Sequence, residues 1–352
     1  MKPFTWLMDH YRPLLDLPSH TARVTLQEGH TPLIPTPNLA RELGGGFRLW
    51  IKYEGLNPTG SFKDRGMTAA ISEALGRGAK SVICASTGNT AASAAAYAAR
   101  AGMQAVVLIP QGKVAAGKLA GAVAYGAQVV QVDGSFDQAL TMVVALTEKH
   151  PLALVNSINP FRIEGQKTAA FEICDDLGAA PDWLCLPVGN AGNITAYWAG
   201  FKAYHAIHNC GLPQMLGVQA AGAAPLVLGH PVLQPETVAT AIRIGQPARG
   251  ETALLAAEES NGRIIAVSDE AILSMQKLLA SREGIWVEPA SAAGLAGLAQ
   301  EIAAGTLDPD GKSIVAVCTG HGLKDPDVIT QGGIQLESIP AKLEALEAVI
   351  RT

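Results

Sequence analysis

The sequence predicts an α/β protein with two open, twisted parallel sheets, each flanked by helices. Short apolar runs that read as strands alternate with helical stretches along most of the 352 residues. This alternation is typical of parallel sheets covered by helices on both faces. Gly and Ala are abundant and aromatic residues make up only 5% of the chain, which favours close helix-on-sheet packing.

Two sheets fit the chain better than one large sheet, because the length suggests roughly two domains. We predict that residues 59–157 form a smaller inserted α/β domain. Residues 1–58 together with residues 158–352 then form the larger one. These boundaries are approximate, since they depend on strand topology and the composition does not change where they fall.

The elements follow from the positions of the apolar runs. In the smaller domain, strands are predicted at Ser81–Ala85, Ala105–Ile109, Val129–Val132 and Ala153–Val155, and helices at Ala91–Ala101, Ala115–Tyr125 and Phe136–Lys149. In the larger domain, strands are predicted at Trp183–Pro187, Leu216–Gln219, Ile264–Val267 and Ile314–Cys318. Pro and Gly interrupt Val232–Gly250, which predicts a long ordered loop.

Charge and cysteine usage exclude several classes of function. The net charge is −5 and no long basic run occurs, so nucleic acid and anionic membranes are not expected partners. The five cysteines are far apart and lack metal-ligand spacing, which predicts reduced thiols in a cytoplasmic protein and no metal site. The N-terminus carries no signal pattern, and no apolar run approaches the ~20 residues that span a bilayer.

One lysine stands between a turn-forming segment and a predicted helix start, in the run Asn57-Pro58-Thr59-Gly60-Ser61-Phe62-Lys63-Asp64-Arg65-Gly66. The partial positive charge of a helix N-terminus disfavours a protonated lysine there. The same field lowers the amine pKa and favours the free amine that forms a Schiff base. A solvated surface lysine is the alternative interpretation of Lys63.

A polar loop of small residues, Ser86-Thr87-Gly88-Asn89-Thr90, follows the first predicted strand of the smaller domain. Simple N-capping of the next helix needs only one such residue. Five together offer successive N–H and hydroxyl donors at a helix start, an arrangement suited to a carboxylate.

A second loop, Gly189-Asn190-Ala191-Gly192-Asn193, follows a predicted strand and opens a helix. Glycines let a backbone approach a phosphate without a clash from Cβ. A purely structural turn can contain the same residues, so this alternative stays open. The last predicted strand ends in Cys318-Thr319-Gly320-His321-Gly322, at the sheet edge where open α/β sheets place ligands. Thr319 is also compatible with a simple strand end, and His321 with either a base or a surface residue.

A lysine nucleophile, a hydroxyl and amide loop and a Gly-rich anion cradle, in this order, indicate an enzyme that uses pyridoxal phosphate (PLP). The cofactor needs an amine for its aldehyde and backbone N–H groups for its phosphate. The order and the sequences of these motifs resemble those of the fold-type II PLP enzymes, and specifically those of the threonine synthase family. The fold of these enzymes is that of the tryptophan synthase β chain. The resemblance extends from Gly29–Leu33 to Lys324-Asp325, and Asn156–Thr168 and Ala239–Gly245 match threonine synthases in particular.

The resemblance implies a role for each matching position. Lys63 is the Schiff-base residue and catalytic base, Asn89 contacts the 3′-oxygen of the cofactor, and Thr319 faces its pyridine nitrogen. The phosphate of the cofactor lies on the loop formed by Gly189, Asn190, Ala191, Gly192 and Asn193. The substrate carboxylate lies on Ser86, Thr87, Asn89 and Thr90.

The implied activity is a PLP-dependent lyase reaction that turns O-phospho-L-homoserine and water into L-threonine and phosphate, in a protein expected to be a homodimer. The substrate phosphate needs an anion site of its own. We predict Arg162 for it, helped by Asn156, Ser157 and Asn190, because the planar fork of an arginine gives paired bonds to phosphate. Lys118 is a weaker candidate, and a surface salt bridge is the alternative for Arg162.

Two other functions remain compatible with the sequence. A serine/threonine dehydratase, or another PLP enzyme that replaces a group at Cβ, would share the lysine segment but has no use for a second anion site. A non-catalytic protein of this fold would only bind a ligand. Retention of Lys63, Asn89, the Gly-rich loop and Thr319 together argues against the latter.

Overall fold

The structure is a computed structural model that describes residues 6–110, 116–133, 136–150, 152–330 and 338–350. Its strands are β1 (Leu33–Pro35), β2 (Arg48–Tyr53), β3 (Ser81–Ala85), β4 (Gln104–Pro110), β5 (Gln128–Val132), β6 (Leu152–Leu154), β7 (Trp183–Pro187), β8 (Gln214–Ala220), β9 (Arg263–Val267) and β10 (Ser313–Cys318). Its helices are α1 (Leu7–His10), α2 (Pro37–Glu42), α3 (Lys63–Gly76), α4 (Asn89–Arg100), α5 (Ala116–Ala124), α6 (Phe136–Lys149), α7 (Pro160–Leu177), α8 (Gly192–His208), α9 (Pro225–Leu228), α10 (Gly250–Glu259), α11 (Asp269–Glu283), α12 (Pro289–Ala303), α13 (Asp327–Thr330) and α14 (Leu343–Val349).

The strands form two sheets, as predicted. One has six strands in the order β1-β2-β10-β7-β8-β9, and the other has four in the order β5-β4-β3-β6. Paired strands run parallel throughout the described residues, except that β1 runs antiparallel to β2. An antiparallel edge strand on an otherwise parallel sheet is common in α/β proteins.

Helices cover both faces of each sheet. Buried side chains of α11 and α12 pack on one face of the larger sheet, and those of α7, α8 and α10 on the other. The smaller sheet packs against α3 and α4 on one face and contacts Val143 of α6 on the other. In the described residues, no helix combines the length and the apolar character that crossing a bilayer requires.

All eight predicted strands are present, with ends that differ by no more than two residues. The strands of the smaller sheet lie within residues 59–157, although the two domain limits themselves stay a prediction. The predicted loop Val232–Gly250 contains no strand, and before α10 begins at Gly250 its one regular element is the short 3-10 turn Thr240–Ile242.

β1 and β2 were not predicted from the sequence. In β2, the charged Lys52 interrupts the apolar pattern that marks a buried strand. The structure buries Lys52 completely, because its Nζ lies 2.8 Å from a carboxylate oxygen of Glu172 on α7. The partner that makes this burial possible is distant in the chain, so the strand could not be recognised locally.

A buried network of charges fixes the start of α3 against segments of the larger domain. The guanidinium of Arg65 lies 2.6 Å from Glu54 through Nε and 2.6 Å from Glu172 through Nη2. Burial alone raises the pKa of Glu172, but the charges of Arg65 and Lys52 outweigh it and hold that pKa at about 2. Removing one partner of such a network costs about 3–5 kcal/mol. The network therefore holds the start of α3, where Lys63 lies, in a fixed position.

Candidate active site

Lys63 is the first residue of α3, as predicted, and the loop that precedes it lies against the end of β10. The backbone N–H of Phe62 donates to the carbonyl of Thr319 (2.9 Å), and that of His321 donates to Gly60 (3.0 Å). Gly60 has a φ of +86°, a conformation that favours glycine, so the loop can turn sharply before the helix. Two segments separated by most of the chain thus meet beside Lys63.

The amine of Lys63 is desolvated. Burial and the nearby charge of Arg162 lower its pKa from 10.5 to about 7, although Glu288 acts in the opposite direction. Its Nζ lies 4.0 Å from the centroid of the Phe62 ring. A lysine in this environment carries a substantial fraction of free amine at neutral pH, which is the form that attacks an aldehyde.

Attachment of PLP to cofactor-free protein is therefore expected to accelerate as the pH rises through about 7. Only the unprotonated amine adds to the aldehyde, and a lowered lysine pKa makes that form dominant above this value. The growth of the Schiff-base absorption band after mixing, followed across the neutral range, measures the midpoint. A midpoint near the ordinary lysine value of 10.5 would contradict this description of Lys63.

Thr319 and Gly320 meet the start of α12. The hydroxyls of Thr319 and Ser291 lie 2.9 Å apart, and Ser291 Oγ accepts from the backbone N–H of Gly320 at 2.8 Å. The backbone N–H of Glu288 donates to the carbonyl of Gly320 at 3.1 Å. A Cβ on Gly320 would lie 2.5 Å from Glu288 Oε1, so this close approach requires glycine.

Glu288 is a site residue that was not predicted from the sequence. Its buried carboxylate accepts two hydrogen bonds from Asn89 Nδ2, at 3.1 and 3.2 Å, and it contributes to the field at Lys63. Burial raises the pKa of Glu288 above its ordinary value, and the bond from Asn89 opposes that effect. Glu288 precedes Pro289 at a helix start, a position where a carboxylate is common for reasons of capping alone.

Glu288→Gln tests this connection. The substitution keeps the shape and removes the charge that raises the pKa of Lys63, so the midpoint of cofactor attachment should move to lower pH. The substitution also weakens the hydrogen bonds from Asn89 to the side chain at position 288. We therefore expect kcat/KM to fall by about 10–100-fold, the range for a lost hydrogen bond to a charged group. An unchanged midpoint would show that Glu288 does not act on Lys63.

The Ser86–Thr90 loop lies between the end of β3 and the start of α4, which begins at Asn89. Ser86 Oγ accepts from the backbone N–H of Gly88 at 3.3 Å. The side chain of Asn156 pairs with the backbone of Ala85 through both of its polar groups, accepting from the N–H (3.0 Å) and donating to the carbonyl (2.8 Å). Asn156 thus fixes the point where β3 ends and the loop begins.

The Gly189–Asn193 loop connects β7 to α8. A Cβ on Gly189 would lie 2.9 Å from the Cα of Ile242, so the loop packs directly on the Thr240–Ile242 turn. Ala191 has a φ of +63°, which costs a non-glycine residue energy and is often found at functional sites. Asn193 Nδ2 is buried and has no hydrogen-bond partner among the described residues.

These features fit the cofactor that the motifs imply. A desolvated amine at Lys63 is suited to an aldehyde, and the start of α8, with its free N–H groups, is suited to a phosphate. The unpartnered Nδ2 of Asn193 is a further donor at the same helix start. An unpaired buried donor is costly unless a ligand satisfies it.

Arg162 lies in the first turn of α7 and is only 2% exposed, so the alternative of a surface salt bridge is wrong. Its Nη1 donates to the carbonyl of Val155 at 2.9 Å, and its Nε has no partner among the described residues. Burial lowers the pKa of Arg162 to about 10, against the smaller opposing effects of Cys84 and Asp64. The result is a buried cation with unused hydrogen-bonding capacity close to Lys63.

The remaining predicted residues lie around these segments. Asn190 Nδ2 donates to Ser157 Oγ at 3.1 Å, which joins the α8 loop to the segment before α7. Arg249, which the sequence analysis did not single out, donates through Nε to the carbonyl of Ser157 at 3.0 Å. His321 Nδ1 accepts from the backbone N–H of Leu323 at 3.1 Å. The side chain of Lys118 lies outside the described residues.

Comparison with known proteins identifies the family. Residues 24–320 match the family described as pyridoxal-phosphate dependent enzyme. The chain is 58% identical to a threonine synthase from Synechocystis sp. over 326 residues, which cover 92% of this chain and 85% of that one. It is 56% identical to a threonine synthase from Halalkalibacterium halodurans over 327 residues, which cover 93% and 92% of the two chains.

A solved structure, that of maize serine racemase, shares the fold, with a TM-score of 0.74 and coverage of 93% of this chain and 94% of that one. Its sequence identity of 22% carries no information about the reaction. The high identities to named relatives do, and they agree with the predicted cofactor. This chain belongs to the pyridoxal-phosphate dependent enzymes and, within them, to the threonine synthase family.

Proposed function

We propose that the protein converts O-phospho-L-homoserine and water into L-threonine and phosphate. The observation that carries this proposal is the buried Arg162, whose Nε lacks a partner among the described residues. It is a second cationic position beside Lys63, separate from the start of α8. A substrate with a phosphate of its own needs such a position, whereas serine or threonine does not.

In this proposal the amine of Lys63 would hold the cofactor, and the same amine, when free, would act as the base. With a pKa of about 7, its Nζ can accept the proton from Cα of the substrate at neutral pH and release it again. When bound, PLP supplies an electron sink for the carbanion that proton removal leaves. A proton then leaves Cβ, the Cγ–O bond breaks and releases phosphate, and a proton added at Cγ forms the methyl group. Water adds at Cβ, and return of a proton to Cα gives threonine.

Three groups of residues orient the cofactor. The loop of Gly189, Asn190, Ala191, Gly192 and Asn193 receives its phosphate, supported by the helix start and the free Nδ2 of Asn193. Thr319, held by Ser291 at 2.9 Å, faces the pyridine nitrogen and offers a neutral hydrogen bond instead of an ion pair. Asn89, held by Glu288, contacts the 3′-oxygen.

The substrate has two anionic ends, and we assign a position to each. The Ser86–Thr90 loop receives the carboxylate at the start of α4. Arg162 receives the phosphate, together with Ser157 and Asn190, which hydrogen-bond to each other at 3.1 Å. Asn156, whose polar groups both pair with Ala85, contributes by holding the carboxylate loop in place.

Inhibition by inorganic phosphate separates this proposal from a dehydratase. A phosphate subsite built on Arg162 should make phosphate compete with phosphohomoserine, and chloride at the same ionic strength controls for general salt effects. Turnover that phosphate leaves unchanged beyond the effect of chloride would favour the dehydratase. A protein that shows no Schiff-base band after incubation with PLP would favour the non-catalytic alternative.

We also propose a homodimer in the cytoplasm. The dimer is an expectation from the family resemblance. The location is in keeping with the five cysteines, all of which carry free thiols. Sedimentation of the cofactor-loaded protein over a range of concentrations tests the dimer, and a monomer across that range would contradict it.

A further inference from the structure

Two of the five cysteines form a close pair. Cys174 lies in the last turn of α7 and Cys210 in the loop after α8, and their sulfur atoms are 3.7 Å apart. The other three cysteines are buried within strands: Cys84 in β3, Cys185 in β7 and Cys318 in β10. The pair lies at the C-terminal ends of α7 and α8, away from the helix starts that carry Arg162 and Gly192.

The backbone around the pair is fixed by its own contacts. The N–H of Ala180 donates to the carbonyl of Cys210 at 2.8 Å, which ties the loop after α8 to the end of α7. The two helices also cross closely, since a Cβ on Gly200 of α8 would lie 2.6 Å from the carbonyl oxygen of Lys167 on α7. The thiols are therefore held together by the fold and do not meet by chance.

From this geometry we propose that Cys174 and Cys210 are a modification site, at which a small-molecule disulfide such as oxidised glutathione installs an intramolecular disulfide. Bond formation requires the sulfur–sulfur distance to shorten to about 2.0 Å. Cys210 is partly exposed and lies in a loop, so its side chain can rotate toward Cys174. Cys174 is buried, with only 2% of its surface exposed.

The steps balance as a thiol–disulfide exchange. The thiolate of Cys210 attacks one sulfur of the external disulfide, breaks its S–S bond and releases one thiol. The thiolate of Cys174 then attacks Cys210 Sγ, breaks the mixed disulfide and releases the second thiol. The protein loses two electrons and two protons, and the external disulfide gains them as two thiols. Excess reduced thiol reverses both steps.

Burial and the proximity of Cys210 raise the pKa of the Cys174 thiol. A thiol with a raised pKa is a poor first nucleophile, because the thiolate is the reactive form. The order of the two steps follows: Cys210, the accessible thiol, reacts first, and Cys174 reacts only with the mixed disulfide that Cys210 carries. The order predicts which intermediate accumulates when one cysteine is missing.

The test uses the reduced, cofactor-loaded enzyme incubated with oxidised glutathione. Two of the five thiols should disappear, the intact mass should fall by that of two hydrogen atoms, and peptide mapping without reductant should join Cys174 to Cys210. Cys174→Ser should stop at glutathione bound to Cys210. Cys185→Ala, which leaves the pair untouched, should behave as the wild type.

Two outcomes would overturn the proposal. One is retention of all five thiols in the wild type under conditions that label Cys210 in Cys174→Ser. The other is a persistent mixed disulfide on Cys210 of the wild type, which would show that Cys174 cannot reach it.

A second measurement tests whether the Cys174–Cys210 disulfide stabilises the folded protein. The disulfide would close a loop between positions 36 residues apart and restrict the unfolded chain. The Tm of the oxidised enzyme should therefore lie on the order of 5 °C above that of the reduced enzyme. Cys210→Ser treated in the same way should show no shift. An unchanged or lower Tm in protein shown to carry the bond would overturn the stabilising role.

Discussion

Lys63→Ala is expected to abolish the Schiff-base absorption band and to lower turnover by several orders of magnitude, the scale seen when one group serves as both nucleophile and base. Lys63 begins α3, and its desolvated amine has a pKa of about 7. Asp64 and Arg65, which follow it, are buried and fully engaged in hydrogen bonds, so the helix start should persist in the variant. The loss of turnover should therefore result from the missing amine and not from unfolding of the variant.

Lys324→Gln is the matched control. Lys324 lies beside the same loop, where its Nζ donates to the carbonyl of Thr59 at 3.0 Å, and burial lowers its pKa as well. The variant should keep the absorption band. Borohydride reduction of the wild-type enzyme followed by peptide mapping should place the label on Lys63, and a label on Lys324 would refute the assignment of the cofactor lysine.

Arg162→Ala should lower kcat/KM for phosphohomoserine by roughly 30- to 1000-fold, which corresponds to about 2–4 kcal/mol for a lost charge-assisted pair. The absorption band should remain, because the phosphate of the cofactor is assigned to the Gly189–Asn193 loop. Slow deamination of serine, which has no phosphate, should change much less. Because Arg162 lowers the pKa of Lys63, the pH profile should also move to higher pH.

Two further variants control for effects on folding. Arg162→Lys keeps a charge but loses the planar fork, so it should recover only part of the activity. Arg282→Ala removes an exposed arginine that pairs with Glu42 at 2.8 Å and should leave both reactions unchanged. Equal losses on phosphohomoserine and serine in Arg162→Ala, with phosphate still inhibiting, would show that Arg162 is structural.

The burial of Arg162 illustrates what the sequence could not predict. An arginine in the first turn of a helix is ordinarily exposed. Here α3 and α7 cross so closely that a Cβ on Gly66 would lie 2.6 Å from Arg162 Nε, and one on Gly165 would collide with the carbonyl of Arg65. The glycines are visible in the sequence, but the helices that they bring together are about 100 residues apart in the chain and only the fold pairs them.

Local sequence patterns predicted the local structure correctly where the functional residues lie in one short segment. The lysine run combines a turn-forming loop with a helix start, and a helix begins at Lys63. The Ser86–Thr90 and Gly189–Asn193 loops each combine a strand end with a helix start, and the structure places both at such a junction. Glu288 has no comparable pattern. Its importance depends on Asn89, which is 199 positions away, and on Gly320, so only the folded chain reveals it.

In the proposed reaction, one substrate molecule yields one threonine and one phosphate, with water added at Cβ. The most direct test is to incubate the enzyme with phosphohomoserine in water enriched in oxygen-18 and to quantify both products. We predict equal amounts of threonine and phosphate, with the heavy oxygen in the threonine hydroxyl and none in the phosphate at release, because the bond that breaks is Cγ–O. Release of phosphate with a 2-oxo acid in place of threonine, or with labelled phosphate, would contradict the account.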